Sequence, residues 1–199
     1  MILSAIICVL YFLVNAQENS DKSQKSLKDV NVVVLDLCEN TTIKNSQSDE
    51  IKIESYLFTK GEIWGLKQSK NRPLFKTEIK QSNDTVFVTP PIVYKPKSIG
   101  VNTYEEKIET SVYLPYNKQI IVQKADNLIV ESRFPSIEIK NTDELKYYSI
   151  QKSEIKILLC EAGKELIVNE KQKVRNYEFH GTGKENYILK AKKIILTIK

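Results

Sequence analysis

From Asp29 onward the apolar residues fall in short runs whose alternate positions are charged or polar, as in Ile51-Lys52-Ile53-Glu54, Phe75-Lys76-Thr77-Glu78-Ile79 and Ser111-Val112-Tyr113-Leu114. A period of two sends one set of side chains to a core and the other to water, and β-branched and aromatic residues fill the apolar set, so these runs predict strands. No stretch of a dozen residues carries an apolar stripe at helical spacing. Turn-forming residues separate the runs at Ser82-Asn83-Asp84, Ala125-Asp126-Asn127 and Ala162-Gly163-Lys164. The pattern predicts an all-β chain.

The alternation is absent at the start and interrupted in the middle. Residues 1–16 carry no charged side chain, and the apolar stretch Ile2 to Val14 followed by Val14-Asn15-Ala16 reads as a signal peptide cut before Gln17. That stretch is too short to span a bilayer, so no transmembrane segment is expected after cleavage. Residues 17–28 have one large apolar residue, Leu27, and read as a flexible polar leader. The all-β domain is expected over residues 29–199. Within it, residues 29–88 supply the N-terminal strands. Thr89-Pro90-Pro91 and Tyr94-Lys95-Pro96 make residues 89–107 a Pro-bearing loop, because proline removes ladder donors and fixes φ. Residues 108–199 hold short-strand repeats.

In that last part the apolar clusters centre near residues 121, 129, 138, 148, 156, 167, 178, 188 and 196, about one every nine residues. The tightest copies are Leu128-x-Val130, Ile137-x-Ile139, Ile155-x-Ile157 and Leu166-x-Val168. Strands of a few residues at this spacing suit a β-solenoid of the single-stranded β-helix type, or an antiparallel β-sandwich. The solenoid is favoured because many connections lack the Asn-Gly or Asp-Gly pairs of two-residue hairpins.

An apolar leader, the strand Val30-Asn31-Val32-Val33-Val34-Leu35-Asp36, then Ser48-Asp49-Glu50-Ile51-Lys52-Ile53, a Pro-bearing middle, Tyr113-Leu114-Pro115 and Ile-x-Ile coils running to a basic end form a set. Over residues 29–199 this set resembles the putative-adhesin, head-domain-like β-solenoid envelope proteins common in Bacteroidetes. The resemblance implies a solenoid-like, non-enzymatic protein, periplasmic or on the surface of a Gram-negative bacterium, whose partner is an envelope protein or a glycan surface. The chain departs from that group in its turns: Asp126-Asn127, Asn141-Thr142-Asp143 and Ser153-Glu154 stand where glycine-bearing turns recur, which argues against evenly wound coils.

Charge and reactive residues narrow the function further. The net charge is +5, but of 30 basic residues only Arg72, Arg133 and Arg175 are arginine, and the lysines alternate with glutamates as in Lys152-Ser153-Glu154-Ile155-Lys156. This is the composition of solvated strand faces and not of a nucleic-acid surface. Cys8 lies in the leader. Cys38 and Cys160 close apolar strands and would lie several layers apart in a solenoid, too far for a disulfide.

The chain has a single histidine, His180, in Phe179-His180-Gly181-Thr182-Gly183, where two glycines signal a turn. One histidine and two isolated cysteines provide no zinc clip, and Asn186 stands where a dinucleotide fingerprint needs its third glycine. Carboxylates remain as a route to glycan hydrolysis: Glu105 with Glu106, or Glu138 with Asp143 and Glu144. Neighbours in a strand point to opposite faces, which separates Glu105 from Glu106, and Glu138 between Ile137 and Ile139 reads as an outward rung. The tyrosines Tyr113, Tyr116, Tyr147 and Tyr148 suit strand packing first and stacking on a sugar or partner second. No catalytic, cofactor-binding or metal-binding residue is therefore assigned, and no cofactor is expected. The sequence reads as an exported, adhesin-like structural or interaction protein, with a carbohydrate-binding or carbohydrate-active solenoid as the alternative.

Overall fold

The alternating runs become strands that serve two ladders at once. The structure, a computed structural model, describes residues 20–60, 76–91, 97–99, 102–173 and 175–199. These hold strands β1 (Ser20–Ser26), β2 (Val32–Asp36), β3 (Asn40–Ser46), β4 (Glu50–Lys60), β5 (Glu78–Ser82), β6 (Thr85–Thr89) and β7 (Lys97–Ile99). They continue with β8 (Asn102–Pro115), β9 (Gln119–Val130), β10 (Ser136–Ile150), β11 (Ile155–Val168), β12 (Lys171–Lys173), β13 (Asn176–His180) and β14 (Glu185–Ile198). A single 3-10 turn, Lys152–Glu154, is the one helical element among the described residues.

The strands form one large mixed sheet in the order β1-β4-β8-β3-β9-β10-β14-β11-β12. The first part of β9 pairs in parallel with β2 and its last part with β3. Along their length β9, β10, β14 and β11 pair in parallel with one another. Two ladders thus run side by side across the long strands, one continuing through β2 and β6, the other through β3 and β8. At the junction each long strand bends over a small residue, and Ala125, Thr142 and Ala162 are buried there because an inward bend leaves no room for a long side chain. Antiparallel strands close both ends: β5 covers β6, β4 and β1 follow β8, and β12 and β13 cover β11. The outermost β1, SDKSQKS, is polar and lysine-bearing, a composition that discourages pairing with another chain.

The core lies between the two ladders. Ile43, Ile53, Val112, Leu128, Leu145 and Leu166 line one side and Val33, Val86, Ile120, Ile137, Leu158 and Leu189 the other, each nearly or fully buried. The all-β expectation holds. The order of strands in the sheet does not follow chain order, since β14 lies between β10 and β11, and β6 and β8 pair with the far sides of β2 and β3.

Five expectations need correction. Most of the leader read at 17–28 is strand: β1 pairs with β4 from Ser20↔Tyr56 to Ser26↔Glu50, and Leu27 is fully buried. Its polar composition reflects an edge with little core contact. The Pro-bearing loop of 89–107 ends early, because β7 and β8 form a hairpin and β8 pairs with β4 as far as Lys60↔Glu105. The short strands expected after residue 108 are instead long and bent, so that clusters 121 and 129 belong to β9, 138 and 148 to β10, and 188 and 196 to β14. The turns expected at Ala125-Asp126-Asn127 and Ala162-Gly163-Lys164 are those bends, whereas Ser82-Asn83-Asp84 is a true hairpin turn with Asn83 at φ 54.

The last correction concerns Ile155-x-Ile157. A register shift between Ile155 and Ile157 against β14 changes the parity of β11, so Ile155, Leu158 and Cys160 are buried while Ile157 is only partly covered. Residues 1–16, read from the sequence as a signal peptide, lie outside the described residues.

Core truncations report this parity. Ile139→Ala and Leu158→Ala should each cost about 2–5 kcal/mol by cavity formation, whereas Glu138→Ala should stay within about 0.5 kcal/mol. Ile157→Ala should cost clearly less than Leu158→Ala in urea titrations, and the opposite order would refute the shifted register.

Candidate functional site

The strongest polar concentration lies inside the fold. Glu185, at the start of β14, is 1% exposed. Its Oε1 accepts from Arg133 Nη2 at 2.7 Å, Arg133 Nε at 3.1 Å and the Tyr116 hydroxyl at 2.9 Å. Its Oε2 accepts from the Tyr187 hydroxyl. Arg133 also donates to Gln151 Oε1 at 2.7 Å and lies 3.9 Å from Glu154. Tyr116 follows β8, Arg133 lies between β9 and β10, and Gln151 and Glu154 lie between β10 and β11, so one carboxylate ties together the links between consecutive long strands. Tyr147 packs edge-on against Tyr187, with centroids 5.6 Å apart.

This cluster is an anchor. A carboxylate has about four acceptor sites, and those of Glu185 are taken by protein donors. The tyrosines hold their protons: burial first, then the Glu185 carboxylate, pushes the Tyr116 and Tyr187 hydroxyls above the usual phenol value. Burial does the same to Tyr147, with the nearby Tyr187 and Glu185 adding to it. The hydrogen bond to Glu185 holds the Arg133 guanidinium still more firmly charged. Neither these hydroxyls nor the guanidinium exchanges a proton near neutral pH.

The carboxylates weighed from the sequence are not brought together. Glu138 faces Lys140 at 3.8 Å, Asp143 pairs with Lys192 at 2.8 Å, and Glu144 with Lys146 at 3.3 Å. Glu105 and Glu106 take part in β8, in register with Lys60 and Thr59. Tyr147 is core, while Tyr116 and Tyr148 are 45% and 40% exposed and Tyr113 lies near Lys52, whose Nζ is 5.6 Å from its ring.

His180 ends β13 in solvent beside Glu178. Gly181 and Gly183 are there for close approach, since a Cβ on either would lie within 2.4 Å of the Ile155 or Glu154 backbone. Cys38 and Cys160 are both free thiols. Among the described residues no group of His, Cys, Asp or Glu could hold a metal, and no helix is long and apolar enough to cross a membrane.

The outer surfaces carry ladders of another kind. On the ladder shared with β2 and β6, the outward positions Phe87, Val34, Ile121, Glu138, Ile188 and Leu159 stand in register. On the ladder shared with β3 and β8, Tyr56, Glu109, Asn40, Asn127 and Glu144 do the same and line a groove of about 630 Å³. A second, shallow groove of about 690 Å³ follows the bends.

The anchor was not found from the sequence, although one signal was present: Glu185 shares its parity with Tyr187 and Leu189, which places a carboxylate on the core side. Arg133 and Tyr116 are distant in sequence and gave no such sign.

Glu185→Ala should lower stability by about 3 kcal/mol, because it strands the arginine and two hydroxyls. Tyr116→Phe, which removes one bond at a half-exposed ring, should cost about 1 kcal/mol. Equal effects in urea unfolding would count against the anchor.

Alkaline stability tests the burial. Desolvation pushes the Cys160 thiol up to about 12, while in the unfolded chain thiols ionise near pH ~8.5 and tyrosines near ~10. The unfolded state therefore loses protons first, so this stability is complete below about pH 8.5 and is lost as pH rises toward the folded values. A urea midpoint that stays level from about pH 7 to about pH 11 would contradict it.

No family model matches the chain, and no curated protein matches it in sequence. Among solved structures, it is similar to a "putative cell adhesion protein" from Clostridium sporogenes at 12% identity and a TM-score of 0.51, covering 92% of this chain and 98% of the other. A "putative adhesin" from Bacteroides fragilis aligns over 90% of this chain and 96% of its own at 13% identity, with a TM-score of 0.31. The Clostridium likeness shows that this chain shares its all-β fold with a solved protein over nearly the full length of both.

Proposed function

We propose that the chain is an exported, non-enzymatic, adhesin-like interaction module of the bacterial cell envelope, built as a β-solenoid-like stack. The observation that carries the reading is the fold likeness to the "putative cell adhesion protein" from Clostridium sporogenes, over 92% of this chain. The solenoid-like architecture is supported by the unbroken parallel pairing through β2, β9, β10, β14 and β11. The non-enzymatic reading is supported by what surrounds the acidic residues: Glu185 is saturated by protein donors, and Glu138, Asp143 and Glu144 each face a lysine. The molecule offers broad faces of in-register side chains, a geometry suited to contact with an extended surface.

Export is part of the same proposal and rests on the uncharged apolar residues 1–16. Expression with the full leader in a bacterial host, followed by fractionation and intact-mass measurement, should recover a chain beginning at Gln17 outside the cytoplasm, sensitive to protease added to whole cells if it is surface-displayed. Recovery of a soluble cytoplasmic chain retaining Met1 would overturn the export reading.

A further inference from the structure

The row Tyr56, Glu109, Asn40, Asn127 and Glu144 runs straight across β4, β8, β3, β9 and β10, because each member is the register partner of the next. With strands ~4.8 Å apart, its four intervals make a track of ~19 Å. The groove it lines, about 630 Å³, is of ordinary size for a ligand site, for which ~300–1,000 Å³ is typical.

The chemistry along the track is specific. At one end Tyr56 is 42% exposed, and Phe58, two residues on along the same strand, is 52% exposed, so flat apolar rings are offered to solvent. In the middle Asn127 Nδ2 donates to Asn40 Oδ1 at 3.0 Å, and each amide has donor and acceptor capacity beyond that bond. Thr42 and Ser111, paired with each other in the adjacent row, add hydroxyls. The charges of the lining balance, two lysines (Lys107 and Lys146) against two glutamates (Glu109 and Glu144).

We infer that this groove binds an uncharged, linear oligosaccharide, a reading that deepens the adhesin-like function and rests on it. Sugar hydroxyls are donors and acceptors at once, which matches amides, hydroxyls and carboxylates, and the C–H face of a pyranose packs on an aromatic ring. A repeating chain lying along the track meets a new strand at regular intervals. A polyanion fits the bend groove better, where Lys124, Lys140, Arg175, Lys190 and Lys192 outnumber Asp126, Asp143 and Glu161. An added peptide strand has no place on the track, because β8, β3 and β9 are paired on both sides and present no open edge.

The test is titration of the purified chain with cellohexaose, mannohexaose, chitohexaose and xylohexaose, and with polygalacturonate and heparin as anionic controls. Saturable binding to at least one neutral hexamer is expected, much weaker for the corresponding monosaccharide. Tyr56→Ala and Asn127→Ala should each weaken it at least tenfold with unchanged melting temperature, Tyr56→Phe should retain it, and Lys140→Ala at the bend should leave it intact. Binding confined to the polyanions, binding indifferent to both Tyr56→Ala and Asn127→Ala, or no saturable binding to any neutral hexamer would overturn the inference. None of these outcomes touches export or surface display, which the fractionation experiment decides separately.

Discussion

The constraint on which the molecule depends is that each long strand must satisfy two ladders in register at the same time. β9, β10, β14 and β11 are hydrogen-bonded on both sides through their two halves, and a slip of one residue in either half would move a whole apolar set from core to water. The bend between the halves absorbs the mismatch. Ala125, Thr142 and Ala162 sit there because two inward-facing rows converge, and one register shift in β10 (Ile139/Thr142) and one in β11 (Ala162/Glu165) fall at or near the same place. The second shift, at the start of β11, lies where the Gly181 and Gly183 segment crosses the Ile155 backbone and donates to it, with Gly183 N 3.0 Å from Ile155 O.

That arrangement explains why a carboxylate is buried beside a largely apolar core. The links between layers bring backbone turns and side chains together at one side, and the insertion of β14 between β10 and β11 carries Glu185 into that region. A buried carboxylate is tolerable only when its acceptor sites are filled, and one arginine with two tyrosine hydroxyls fills them. The same contacts hold the start of β14 in its out-of-order slot.

The outer faces follow from the same register. Parallel in-register stacking lines up whatever side chains stand at equivalent positions, so lysines meet glutamates, as Lys193 meets Glu165 at 3.1 Å, and asparagine meets asparagine. Exposed pairs of this kind add little stability. Their effect is to write a regular chemical pattern on the outer faces of the sheet.

The sequence by itself determined the class of structure and the parity of most strands. Alternation at Leu128-x-Val130, Ile137-x-Ile139 and Leu166-x-Val168 is a local consequence of the pleat, and the structure buries the residues it marks. Only the tertiary structure decided how the clusters join into bent strands, that β1 pairs at the edge, that Ile157 turns outward, and that β14 is inserted out of order. These depend on pairings between residues far apart in the chain, about which local periodicity carries no information. The Glu185 anchor and the Tyr56 track belong to that second group, because their members come from different strands and acquire a common chemistry only when register places them side by side.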